Sequence, residues 1–138
     1  MAILFYDQDT SYSLSGRRKI KSWIKEVITI HQKKTGEINV IFTSDEYLKE
    51  LNRQFLGRDY YTDVLTFDYS YNKIISGEIY VSIERVMENA GKFKNKFEEE
   101  LFRVIIHGIL HLLGYKDNTK KEERLMRKHE DLFIKMIK

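Results

Sequence analysis

The chain is predicted to be a single α+β domain: one small mixed β-sheet containing a hairpin, packed against several helices, with one helix at the centre. Three observations predict this. Period-2 and helical apolar patterns interleave in the order strand, helix, strand, helix, hairpin, helices. The two middle strands are joined by a turn-prone stretch, which makes them an antiparallel pair. The helix that begins at Phe97 is apolar nearly all round after Leu101, as a central helix must be.

Each element has its own signal. Residues 3–6 form a short apolar strand. Residues 17–33 form an amphipathic helix, with Ile20, Trp23, Ile24, Val27 and Ile30 on one stripe. Residues 37–43 alternate Ile38, Val40 and Phe42 as a strand does. Ser44 is placed to cap a helix over 45–55 whose core face carries Leu48, Leu51 and Phe55. A polar loop follows over 57–63. Residues 64–69 and 78–83 are the hairpin strands and 70–77 the turn, with a short helix over 84–90. Asn95 followed by Glu98 marks the start of the central helix over 97–113. The capping box Thr119-Lys120-Lys121-Glu122 opens a last amphipathic helix to about residue 137. The helices are expected to lie over a face of the sheet. No repeat, linker or low-complexity tract interrupts residues 1–138, and that length can bury a real core.

Composition narrows the class. Hydrophobic residues make up 42% and charged residues 33%, the balance of a soluble globular protein. There is no cysteine, which removes disulfides and thiolate metal sites and suits a reducing cytoplasm. Residues 1–6 are too short an apolar run for a signal peptide. The longest apolar stretch, residues 104–113, is interrupted by two His and a Gly and is too short to span a bilayer. A cytoplasmic protein with no membrane association is expected. The net charge of +3 permits a polyanionic partner without demanding one.

The central helix carries the chemistry. His107 and His111 are four residues apart and share a face, with Cβ atoms roughly 6 Å apart. Gly114 can end the helix in the left-handed conformation. The chain can then turn back and bring Asp117 to the same point. Two imidazoles and one carboxylate, with a fourth position open, describe a catalytic metal centre rather than a closed structural one. Burying two imidazoles in an apolar helix costs several kcal/mol without partners, and one ion satisfies both. The spacing is metzincin-like, but a zinc peptidase carries its general-base Glu directly after the first His, and here that residue is Gly108. The peptidase-like reading is therefore disfavoured.

The run His107-Gly108-Ile109-Leu110-His111-Leu112-Leu113-Gly114-Tyr115-Lys116-Asp117 resembles the signature of the YbeY family of single-strand-specific, metal-dependent endoribonucleases, the ribosomal RNA maturation factors. The segment from Leu51 to Phe67, containing Thr62-Asp63-Val64-Leu65-Thr66-Phe67, and the strand Gly77-Glu78-Ile79 are similar to two further family segments, in the same order. The resemblance implies hydrolysis of phosphodiesters in single-stranded RNA by a metal-activated water, in ribosomal RNA maturation and quality control. It implies His107, His111 and Asp117 as ligands of one divalent ion, zinc in the first instance. It implies ribosomal RNA as partner, an open question of ribosome association, and no DNA substrate.

Three departures stand out. Asp117 replaces the family's third His; it remains an acceptable ligand and hardens the set towards manganese. Leu56 stands where the family has an Arg before Gly, so that Arg's role cannot be carried over. Arg58, two residues on, is the candidate to replace it as the catalytic cation. Tyr61 and Asp68 replace prolines, which loosens the expected loop. The missing Arg supports an alternative reading, a non-catalytic, metal-stabilised module that binds RNA or the ribosome.

Other features are less specific. Asp63 is a candidate to position water or substrate, beside a turn-forming role with Thr62. Arg17, Arg18, Lys19 and Lys21, and Lys92, Lys94 and Lys96, are basic clusters that a phosphate backbone could follow, although a solvated face explains them as well. Tyr60, Tyr61, Tyr69 and Tyr71 are stacking candidates, although packing explains them equally. His129 belongs to the apolar face of the last helix, and His31 is expected at the surface.

Overall fold

The computed structural model describes residues 2–137; Met1 and Lys138, the ends of the stretch expected as one domain, lie outside them. The elements in chain order are β1 (Ile3–Asp7), α1 (Arg17–Ile30), β2 (Lys34–Thr43), α2 (Asp45–Leu56), β3 (Val64–Asp68), β4 (Ile74–Ser82), α3 (Ile83–Lys92), α4 (Phe97–Leu112) and α5 (Lys120–Ile137). The sheet order is β1-β2-β4-β3. β1, β2 and β4 run parallel, and β3 is antiparallel to β4, so the sheet is mixed and contains the expected hairpin.

Register assigns the two faces. Phe5, Val40, Ile79 and Thr66 form one row across the strands, and Phe42, Val81 and Val64 another. These rows face the core that α1, α4 and α5 complete. The Trp23 indole of α1 donates to the Phe133 carbonyl of α5 at 2.8 Å and meets Phe102 of α4 edge-on, which ties the three helices together. Leu65, Phe67 and Tyr80 point the other way, where α2 brings Phe55 edge-on to Phe67 with ring centroids 5.6 Å apart. β3 and β4 are therefore apolar on both sides, and α2 does not share the helical layer expected over one face.

α4 is the central helix, with Val104, Ile105, Ile106, Ile109 and Leu110 all buried. Two glycines set how closely it approaches β4. A Cβ on Gly108 would stand 2.7 Å from Ile79 Cγ2, and one on Gly77 would stand 2.7 Å from Leu112 Cδ2. Each surface thus has a notch that receives a side chain of the other.

Several boundaries differ from expectation. Gln32 has φ +59°, which turns the chain after Ile30, so residues 31–33 leave the helix and β2 starts early at Lys34. Asn72 has φ +56°, and Tyr71 and Ile74 exchange two backbone hydrogen bonds of 3.0 Å. The turn is that tight because Asn tolerates the left-handed conformation, and β4 therefore begins at Ile74 instead of 78. Ser82 caps α3 by accepting from the Arg85 amide at 3.1 Å, which moves Ile83 from strand to helix. Lys96, not Asn95, holds the cap position of α4, and no side chain caps it; Glu98, Glu99 and Glu100 favour that end by charge. The Ser44 cap and the Thr119–Glu122 capping box form as expected, with 3.1 Å bonds.

Candidate metal centre

α4 ends in the turn that its sequence anticipates. Gly114 has φ +102°, its amide donates to the His111 carbonyl, and the Tyr115 amide donates to the Leu110 carbonyl, both at 3.0 Å. This pair of bonds is the Schellman motif, and it reverses the chain. Asp117 then returns to the helix face that carries the histidines. His107 Nε2 and His111 Nε2 are 3.0 Å apart, and Asp117 Oδ2 lies 3.3 and 3.2 Å from them. Bonds of about 2.0–2.1 Å to a tetrahedral ion place its donor atoms about 3.3 Å apart, so the triangle has the size of a metal site.

The outer partners decide what the triangle can hold. His111 Nδ1 lies 3.0 Å from the Tyr115 carbonyl, which can only accept, so that nitrogen carries the hydrogen. His107 Nδ1 lies 2.6 Å from the Glu130 carboxylate and is a donor for the same reason. In neutral rings both Nε2 atoms are then lone pairs, facing each other and a carboxylate oxygen. Three acceptors converge with no hydrogen between them, and a metal ion, or a proton taken up by one ring, relieves that. His107, His111 and Asp117 could hold a metal ion by this geometry, and among the described residues they are the group of three that could.

Charge around the triangle is uneven. Burial pulls the His107 pKa down, but the Glu130 hydrogen bond and charge outweigh it and the net shift is upward. Burial and the neighbouring His107 hold the His111 pKa below the ordinary value. Burial pushes the Asp63 carboxyl up; it receives a 3.4 Å contact from Asn89 Nδ2.

Sequence reasoning missed Glu130. It is 5% exposed and sits on α5 in line with Met126 and Ile134. A carboxylate on an apolar stripe was the available signal. Its second oxygen accepts from Arg103 at 3.0 Å, and Arg103 also reaches Asp131 at 2.7 Å. His31 corrects an expectation. It is half-buried rather than a surface residue, because its Nδ1–H donates to the Val27 carbonyl at 2.7 Å and its Nε2 accepts from the Tyr115 hydroxyl at 2.8 Å. It thereby braces the turn that orients His111. His129 is on the inner side of α5 as expected, against Tyr115 with centroids 4.8 Å apart, and its Nδ1 is buried without a hydrogen-bond partner.

Two clefts meet at the triangle. The smaller, about 460 Å³, is lined by Arg58, Leu56, Thr66 and Asp63 together with all three triangle residues. The larger, about 500 Å³, opens between α3, α4 and α5. Arg58 is exposed on the loop after α2, which Asn52 fastens by donating to the Tyr60 carbonyl at 3.2 Å. Tyr61 tethers the same loop: it donates to Glu46, with Lys49 and Arg85 over its ring at 4.6 and 5.1 Å. The basic clusters and the candidate tyrosines line neither cleft; Lys19 and Lys96 instead flank a separate hollow with Glu98 and Glu99. Gly108 packs on Ile79, so a peptidase base has no room at that position. No described helix is long and apolar enough to cross a membrane.

The family model for Endoribonuclease YbeY matches residues 5–138. The chain is similar to an Endoribonuclease YbeY of Flavobacterium psychrophilum, 46% identical over 98% of this chain and 96% of that protein. It is similar to another of Cytophaga hutchinsonii, 45% identical over 99% and 96%. Its fold matches the solution structure of a Thermotoga maritima protein with a TM-score of 0.67, at 34% identity over 99% of this chain and 89% of that one. A metal-sized triangle on a Schellman-ended helix, in a chain with these matches throughout, makes this protein a member of the Endoribonuclease YbeY family.

Proposed function

We propose that the chain is a metal-dependent, single-strand-specific endoribonuclease of ribosomal RNA maturation and quality control, working in the cytoplasm and on or near the ribosome. The observation that carries this reading is the convergence of three lone-pair donors at 3.0–3.3 Å between two open clefts. His107, His111 and Asp117 are the ligands, and zinc is the ion. A divalent ion held there supplies a Lewis acid that polarises a phosphoryl oxygen and lowers the pKa of water towards about 7.

The chain's own groups do the rest. Glu130 and the Tyr115 carbonyl fix both imidazoles in the tautomer that ligation requires. Arg58, at the rim of the smaller cleft, offsets charge building on the phosphate. Asp63 lines both clefts and orients water or substrate at the junction. Both clefts are sized for splayed nucleotides, as single strands present them.

A second reading keeps the metal and loses the chemistry: a metal-stabilised module that binds RNA or the ribosome. Leu56, 47% exposed on the wall where a cation would act, favours it. One experiment separates the two. Purified protein is assayed for metal by elemental analysis and for cleavage of single-stranded RNA with and without chelator. Cleavage that needs the metal and is lost in His111→Ala supports the enzyme. RNA binding with no cleavage by the metal-loaded protein supports the module.

A further inference from the structure

The larger cleft carries chemistry that the metal centre does not use. Phe93, at the end of α3, lies on its rim with 54% of its surface exposed. A ring so open gains little from the core. Arg124 and Arg127 line the same cleft, three residues apart on one face of α5. Both are exposed, and neither joins an ion pair among the described residues. Arg103 lines the same cleft but is paired with Glu130 and Asp131, which leaves the floor acidic. Glu100 is 5% exposed and receives a 3.4 Å contact from Asn95, and Asp63 lies beside it.

This arrangement sorts a nucleotide by its parts. The acidic floor repels phosphate, and the two rim guanidiniums attract it. A base carries no charge to repel and has a face for Phe93. A carboxylate at the floor accepts from an exocyclic amine, which cytosine and adenine possess and uracil lacks. Asp63, Val64, His107 and Asp117 line both clefts, so a strand crossing the metal centre passes from one into the other.

We propose that the larger cleft seats the nucleotide next to the scissile phosphate. Its base stacks on Phe93 with an amino edge towards Glu100, and its own phosphate lies between Arg124 and Arg127. The proposal rests on the endoribonuclease reading. It makes Phe93, Arg124 and Arg127 substrate-binding residues and Glu100 a determinant of base preference.

The test is fluorescence anisotropy of end-labelled, phosphorothioate-linked single-stranded heptamers, oligo(C) and oligo(U), on metal-loaded protein. Circular dichroism and metal content are recorded for every variant. Arg124→Glu with Arg127→Glu is compared with Lys25→Glu plus Lys34→Glu, an equal charge change on exposed sites outside both clefts. The cleft pair is expected to weaken oligo(C) binding at least about tenfold more than the control pair and to reduce the salt slope by about 1.4. Arg124→Gln with Arg127→Gln carries the test where charge reversal unfolds the protein. Phe93→Ala should weaken binding roughly 5- to 100-fold, with Phe93→Tyr restoring it. Wild type should prefer oligo(C) to oligo(U) by roughly fivefold or more, a preference that Glu100→Gln abolishes. Equal losses in cleft and control pairs, or equal binding of the two heptamers by wild type, would overturn the proposal while leaving the nuclease reading intact. Wild type that neither binds nor cuts single-stranded RNA overturns both.

Discussion

Glu130 offers the sharpest prediction, because one carboxylate serves two partners. Its side chain is 7% exposed, with one oxygen 2.6 Å from His107 Nδ1 and the other 3.0 Å from Arg103. Glu130→Ala leaves the Arg103 guanidinium, 21% exposed, without its buried partner. Breaking such a pair costs about 3–5 kcal/mol, and the lower figure applies because Arg103 keeps Asp131 at 2.7 Å. At about 3 °C per kcal/mol in a domain of this size, the metal-free protein should melt roughly 10 °C lower. The metal loses more than stability. Without its acceptor, the His107 ring is free to rotate or to change tautomer, and loss of such an outer partner weakens metal binding about 10- to 100-fold. Saturating metal should therefore stabilise the variant by about 1.4–2.7 kcal/mol less than wild type at equal free-ion concentration. Glu130→Gln keeps an acceptor but not the charge and should fall between the two. Chelator competition with cobalt as the ion, read from its visible absorption, and paired melting curves measure both effects. A folded Glu130→Ala protein with wild-type cobalt affinity would refute the argument that Glu130 holds the ligand.

Other predictions follow from the same geometry. Arg58→Ala should slow cleavage by roughly 10- to 100-fold with metal content unchanged, and unaltered rates would remove Arg58 from the chemistry. Gly108→Ala sets a Cβ 2.7 Å from buried Ile79. Overpacking of about 1–3 kcal/mol should exceed the gain of about 1 kcal/mol in helix propensity, so denaturant midpoints should fall. His129→Phe tests a half-buried ring by pH. Burial, then His31 and Lys128, hold the His129 pKa below its ordinary value, so the unfolded chain binds more protons than the folded one. Stability from this position is present above about pH 6.5 and is lost as pH falls below it. In chelator, the stability of His129→Phe relative to wild type should rise steadily from pH 7.5 to pH 5; a constant difference would contradict the assignment.

Much of the fold was legible because local signals agreed with one another. The Ser44 cap, the Thr119–Glu122 box and the Gly114 terminator each act over a few residues, and each formed. Two boundaries failed where a single non-glycine residue took a left-handed turn, at Gln32 and Asn72, since nothing in their neighbourhood requires it, and two more shifted where a cap fell on Ser82 or Lys96. The metal triangle was readable because its members lie within eleven residues of chain, on a helix and the turn that ends it. Glu130 and His31 were not, since each depends on which helix packs beside α4 and its closing turn. His31 looked like a surface residue beside Lys33 and Lys34 until Tyr115 arrived from 84 residues away. Glu130 stood 23 residues beyond His107, on a helix whose docking the local pattern could not specify.

The reciprocal notches at Gly77 and Gly108 bear on how this centre could be moved or altered. The height at which the two imidazoles stand above the sheet is gauged by β4, not by α4 alone. Transplanting the histidine helix into another scaffold would lose that gauge unless the strand with Gly77 and Ile79 travelled with it. Substitution at Gly108 is likewise constrained to come with a shortened side chain at Ile79, whereas a Cβ at Gly77 also runs into the Phe67 backbone carbonyl of β3, which no side-chain change relieves.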